Sequence, residues 1–156
     1  PNRMPIEHQD IGHVLLRLKQ DFLRRLQADL DVRGISSFRA RHRGVFLHIA
    51  RNGVSRSVDL AAATGVRPPS MMKTVQELET LGIVKRSPDP MDSRAKLITF
   101  TPAGQRLLRE LARSTEAVWD EYARIAGEAL VTRLFNDMET LLERSQEERK
   151  RSVPSS

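Results

Sequence analysis

The chain has 156 residues, with 26 Lys and Arg against 20 Asp and Glu and no cysteine, so disulfides, thiolate metal sites, cysteine nucleophiles and thiol redox sensing are excluded. That length suits one domain, or one domain with a helical extension, burying about 70% of its unfolded surface. No run approaches the ~18 apolar residues of a membrane span and the first ten residues have no apolar core, so a soluble, cytoplasmic protein is expected; proline at position 1 suggests a processed start.

The formal charge of +6 is unevenly spread. Residues 33–101 hold 12 Lys and Arg against 5 Asp and Glu, a net +7, while the remainder holds 14 against 15, a net −1. A polyanion-binding module needs such an asymmetry, because neutralised phosphates release counterions. A merely solvated basic surface is the alternative.

From Glu7 to Leu30, the residues Ile11, Leu15, Leu18, Phe22, Leu26 and Leu30 recur every three or four positions, which predicts one long amphipathic helix. Residues 31–34 break it. Ser36 or Ser37 is expected to cap a second helix running to Asn52, with Phe38, Val45, Phe46 and Ile49 facing inward. Ser57 is expected to cap a short helix through Thr64, whose three consecutive alanines permit close approach of another helix. After the turn at Gly65 and Val66, Pro68 suits the first position of a helix that ends at Gly82, with Met71, Val75 and Leu78 on one face. Residues 57–81 thus have the length and spacing of a helix-turn-helix, although an ordinary αα-hairpin shares that pattern.

Ile83 to Arg86 and Lys96 to Phe100 read as paired strands, joined by a turn-rich SPDPMDSR. A helix followed at once by a hairpin with a basic tip is the outline of a winged helix. Thr101 and Pro102 then open a long helix over residues 102–126, with Leu107, Leu111, Val118, Tyr122 and Ile125 along one stripe. Gly127 interrupts it, and a last helix over 128–149 carries Leu130, Leu134, Met138, Leu141 and Leu142 before a polar tail. Three leucine-rich helices at the two chain ends suggest a shared dimer layer, with a coiled-coil tether or an intramolecular bundle as alternatives.

The run Asp89-Pro90-Met91-Asp92-Ser93-Arg94-Ala95-Lys96-Leu97-Ile98-Thr99-Phe100-Thr101-Pro102-Ala103-Gly104, preceded by Leu78-Glu79-Thr80-Leu81-Gly82-Ile83-Val84-Lys85-Arg86, resembles the wing and recognition helix of the MarR family of bacterial transcription regulators. The flanking helices match in number and order. The resemblance implies a mainly α fold with a small β-hairpin wing, a winged helix-turn-helix flanked by long dimerisation helices. It divides the chain into an N-terminal dimerisation helix (1–34), a DNA-binding region (35–101), C-terminal dimerisation helices (102–150) and a frayed tail (151–156). It further implies a homodimer on a pseudo-palindromic operator, a repressor released by a small ligand. Cysteine-based peroxide sensing, one branch of that family, is removed by the composition. Met91 stands where the family often has arginine, and Arg67 where a Ser or Thr cap is usual, a change that costs about 0.5 to 2 kcal/mol unless the arginine meets a phosphate.

On this outline the recognition helix enters the major groove by its first turn, where Pro69, Ser70, Met72 and Lys73 project away from the core face and Gln76 follows one turn on. Lys73 can reach a guanine edge or a phosphate, Ser70 can donate or accept, and Gln76 can pair with adenine. Pro69 and Met72 can touch thymine methyls. By family likeness Arg94 is the wing arginine, suited to a narrow minor groove, with Asp92 orienting the turn. Arg56, Arg67, Arg86 and Lys96 are candidate phosphate contacts.

The resemblance also implies a pocket where the first two helices and the long C-terminal helix meet. There His13, Arg17, His42 and Trp119 are candidates for contact with an anionic aromatic effector. The four histidines include no i, i+4 pair and no H-E-x-x-H, so no metal is expected. Neither a glycine-rich phosphate loop nor G-x-S-x-G occurs, so no catalytic residues, no cofactor and no enzyme activity are expected. The reading from a different class is a helical interaction module whose basic centre binds an acidic protein or RNA.

Overall fold

A computed structural model describes residues 10–152 of the chain. In chain order the elements are α1 (Ile11–Val32), α2 (Ala40–Asn52), β1 (Val54–Arg56), α3 (Ser57–Thr64), α4 (Pro68–Thr80), β2 (Val84–Asp89), β3 (Asp92–Phe100), α5 (Pro102–Ala126) and α6 (Glu128–Ser152). Two compact units divide within α5, one ending at Ser114 and the other beginning at Thr115. The mainly helical fold with a small hairpin wing is therefore observed as expected.

In the first unit, α2, α3 and α4 pack on one another and on a three-stranded antiparallel sheet of order β1-β3-β2. Phe38, Phe46, Ile49, Leu60, Met71, Val75, Leu78 and Ile98 are all buried, so the i, i+4, i+7 stripe of α4 forms part of this core. Phe46 meets Phe38 edge-on at 5.0 Å between ring centroids and Phe100 at 4.7 Å, tying α2 to the last strand. Helix α1 is exposed at Ile11 and Leu15, half-buried at Leu18 and Phe22, and buried at Leu26 and Leu30. Residues Glu7 to Gln9, where this helix was expected to start, lie outside the described residues.

The exit from α4 is set by Gly82, whose φ of 72° is the left-handed conformation that ends helices. Ile83 N–H donates to the Leu78 carbonyl at 2.9 Å and Gly82 N–H to that of Glu79 at 2.9 Å, a Schellman closure that turns the chain directly into β2. At the other end of the wing, Gly104 N–H donates to the Thr101 hydroxyl at 3.1 Å, so Thr101 caps α5 as expected. Gly104 also lies where a Cβ would run into the Ile83 carbonyl oxygen, which lets α5 start tight against the wing.

Several local expectations are corrected. Helix α2 starts at Ala40 behind Arg39, and neither Ser36 nor Ser37 caps it; His42, the third helical residue, accepts the Arg39 N–H on its Nδ1 at 3.0 Å. That ring nitrogen does the work a Glu or Gln does in a capping box. Ser57 is the first helical residue of α3, and the position before it is Arg56, with no side-chain cap. The hairpin is longer than expected and closes through Pro90 and Met91 alone, because β2 runs on to Asp89 and β3 begins at Asp92. Strand β1 was not expected; its three residues pair with Leu97, Ile98 and Thr99 on the free edge of β3. Residues 151 and 152, expected to fray, continue α6, and 153–156 lie outside the described residues.

In the second unit, α5 stops at Ala126 and Gly127 breaks the helical path before α6, as expected. Trp119 and Phe135 meet edge-to-face at 5.4 Å and 84°, joining the two helices. No helix among the described residues is long and apolar enough to cross a membrane.

Candidate nucleic-acid interface

Helix α4 separates its residues cleanly. Met71, Val75 and Leu78 are buried, whereas Arg67, Pro69, Ser70, Lys73 and Gln76 are exposed and Met72 is half-buried. Arg67 occupies the N-cap without any side-chain cap bond. With prolines at the first two helical positions, two of the usual orphan N–H donors do not exist, which lessens what a missing cap costs. The exposed face therefore carries two cations, a hydroxyl and an amide in its first three turns.

The wing is shaped by its two aspartates. Asp89 Oδ1 accepts the Met91 N–H at 2.8 Å, and Asp92 Oδ1 accepts the Arg94 N–H at 2.9 Å, so each carboxylate stabilises the backbone two residues on. The pairing runs Pro88 to Lys96 and then Asp89 to Asp92, so Ser93, Arg94 and Ala95 have no partner on β2. A bulge of this kind can re-aim a side chain, and Arg94 is exposed within this one. Arg94 and Lys96 are exposed and make no ion pair among the described residues. Met91, at the tip, is 85% exposed.

The other two wing-side arginines are already paired. Arg56 Nη2 lies 2.6 Å from the buried Asp89 carboxylate, and Arg86 donates through Nε to Glu79 at 2.9 Å. Their charge is partly spent inside the protein, which distinguishes them from Arg94 and Lys96. A groove of about 390 Å³ between the wing and the start of α3 and α4 brings together Arg56, Met72, Arg86, Asp92, Arg94 and Lys96 from the sequence-selected set. Arg67, Pro69, Ser70, Lys73 and Gln76 lie outside its lining.

A half-buried link that sequence reasoning missed anchors α4 from behind. Glu77 accepts hydrogen bonds from Arg41 Nε and His42 Nε2, each at 2.8 Å. These two donors, Arg41 first, hold the Glu77 carboxyl below its ordinary value of 4.5. His42 is only 1% exposed, and with Nδ1 on Arg39 N–H and Nε2 on Glu77, both ring nitrogens are taken. His42 therefore offers no ring nitrogen to an effector. His13 and Arg17 are exposed on α1, and Trp119 is half-buried in the second unit against Phe135. Among the described residues no cluster of three or more His, Asp or Glu could hold a metal ion.

Comparison with known proteins bears on the same segment. Residues 39–95, from the start of α2 into the wing, match the model of the MarR family. An HTH-type transcriptional regulator of Mycobacterium bovis is 32% identical over 68 residues, 44% of this chain and 48% of that protein, so the match spans about half the relative's length. The fold is similar to wild-type MarR of E. coli in its apo form, with a TM-score of 0.74 at 19% identity over 91% of this chain and 99% of that one. It is also similar to CouR from Rhodococcus jostii RHA1 bound to p-coumaroyl-CoA, with a TM-score of 0.65 at 27% identity over 85% and 91%.

Proposed function

Because the chain belongs to the MarR family, we propose that it is a transcription regulator that binds double-stranded DNA sequence-specifically. It binds a pseudo-palindromic operator as a homodimer in the cytoplasm and acts as a repressor released by a small ligand. The observation that carries this reading is the placement of the exposed α4 face (Ser70, Lys73, Gln76) and the unpaired wing cations Arg94 and Lys96 on one unit. A helix can read base edges in the major groove while a basic hairpin tip reaches the adjacent minor groove. Arg67 contributes a phosphate contact, and Arg56 and Arg86 set position from within their ion pairs.

The homodimer is supported by apolar side chains that a single chain leaves uncovered. On α1, Ile11, Val14, Leu15 and Leu16 are each at least half exposed, and on α6 Leu141 and Leu142 are 71% and 58% exposed. Two such stripes in one chain are characteristic of a surface closed by a second copy. The effector reading draws on the similarity to CouR, with His13, Arg17 and Trp119 as its remaining polar and aromatic candidates in this chain.

Selection of bound sites from a random duplex pool tests the reading. An enriched inverted repeat, with half-sites about one helical turn apart, is the expected result. Failure to enrich any duplex, with tight binding to RNA or an acidic protein instead, would replace it with the interaction-module reading.

A further inference from the structure

The groove between the wing and the helix-turn-helix has chemistry beyond a cluster of positive charge. Its charged side is formed by four cations, Arg56, Arg86, Arg94 and Lys96, against one carboxylate, Asp92, which already accepts the Arg94 N–H. The rest of its wall includes Val58 on α3, Met72 on α4 and Ala95 on the bulge, three apolar side chains on three different elements. Val58 is 71% exposed, so it is a groove wall and takes no part in the core. A bare inorganic anion gains nothing from such a wall. A sugar-phosphate unit does, because its C–H surface can lie on the apolar residues while its phosphate meets the cations.

We infer that this groove seats one deoxyribose-phosphate of the DNA strand that crosses between the α4 face and the wing. The inference rests on the duplex-binding reading and adds to it a specific seat. Asp89 is the positioning residue of the seat: it is itself buried, it fixes the turn through Met91 N–H, and its other oxygen holds Arg56 against the groove. Arg56 is thereby paired within the protein, and Lys96 is the cation left to neutralise the phosphate while Arg94, at the same edge of the groove, reaches on toward the minor groove. The contact carries no base information, so it raises affinity for every sequence alike.

Charge changes at Val58 test the seat, because position 58 is the second residue of α3. At a helix N-terminus Asp is favourable and Lys unfavourable. Stability and binding are therefore expected to move in opposite directions, which separates a blocked seat from a damaged fold. Val58→Asp is expected to weaken binding to a selected inverted repeat and to random duplex by similar factors, about tenfold, with the salt slope shallower by about one per protomer. Its thermal midpoint should hold or rise. Val58→Lys is expected to bind both duplexes more tightly despite a lower midpoint.

Two results overturn the seat while leaving duplex binding intact. One is unchanged affinity in both variants while Lys73→Ala still lowers preference for the selected site. The other is a Val58→Asp loss confined to the selected site, which would place residue 58 in sequence reading. If the unaltered protein enriches no duplex at all, the DNA reading itself fails, and the seat with it.

Discussion

His42 on α2 and Glu77 on α4 are joined by a 2.8 Å hydrogen bond although 35 residues separate them, and the same carboxylate also accepts from Arg41. The bond ties the back of the exposed helix to the start of α2, whose N-cap amide is bound by the other nitrogen of the same ring. One imidazole thus helps fix both helix ends.

The Glu77 link makes stability depend on pH in a defined direction. The folded-state pKa lies below the ordinary 4.5, so the unfolded chain takes up its proton first as pH falls. Stabilisation is present above that ordinary value and is lost as pH drops through the folded one. Thermal unfolding of the unaltered protein and Glu77→Gln, followed from pH 7 down to acid, should show a difference at neutral pH that narrows below about 4.5. A gap of constant width would show that ionisation of Glu77 contributes nothing.

Removing the ring itself is a different experiment. His42→Phe keeps an aromatic ring beside Phe38 but leaves the Arg39 N–H and the Glu77 carboxylate short of a partner. A loss of about 1–3 kcal/mol is expected, measured by denaturant unfolding. An unchanged midpoint would mean that water replaces both bonds at no cost.

Gly104 should resist substitution more sharply than its position on a helix suggests. In Gly104→Ala the new methyl meets the Ile83 carbonyl oxygen and the Phe100 ring, and Ile83 already accepts the Thr101 N–H at 3.0 Å. Alanine would favour the helix, yet overpacking costs about 1–3 kcal/mol and should lower the midpoint. The exposed neighbour variant Gln105→Ala serves as control. A rise in the Gly104→Ala midpoint would show that α5 can move away from the wing without penalty.

These particulars also show what could be read without coordinates. The faces of α4, the Gly82 exit and the Thr101 cap were legible because each depends on residues within a few positions of one another. Strand β1 was not, since three residues carry no period and pair only because β3 presents an open edge. The length of the hairpin was misjudged for a related reason. Proline and aspartate read as a wide turn, whereas the Asp89 and Asp92 carboxylates satisfy backbone amides and let the strands continue. Among the candidate site residues, nothing local distinguished the paired Arg56 and Arg86 from the unpaired Arg94 and Lys96. Arg56 finds Asp89 only across the sheet, and His42, selected for a ligand, is occupied by a carboxylate from another helix.

Arg94 and the salt dependence can be measured together. Arg94→Ala is expected to weaken operator binding by about 1–3 kcal/mol while leaving the oligomeric state unchanged. Fluorescence anisotropy reads the affinity and light scattering the mass. For the unaltered protein, a dimer touching roughly 8 phosphates should give a log affinity against log salt slope near −7. A flat titration would remove DNA as the partner, and unchanged affinity in Arg94→Ala would remove the wing arginine from the interface.

Arg67 offers the clearest opposition between stability and binding. It occupies a helix N-cap, where its charge faces the positive end of the α4 dipole and its side chain caps nothing. Arg67→Ser supplies an oxygen for the Ser70 N–H, the first amide of the helix that exists after Pro68 and Pro69. Since the prolines have already removed two donors, the gain should sit at the low end of the usual range, about 0.5 kcal/mol. The same change removes a cation from the face proposed to meet a phosphate, so duplex affinity should fall for selected and random sequences alike, with a salt slope shallower by about one per protomer. A variant that is more stable and binds less tightly would show that the arginine is kept for its partner at the expense of the helix. Equal affinity in a stabilised variant would show instead that Arg67 faces solvent in the complex as it does in the free chain.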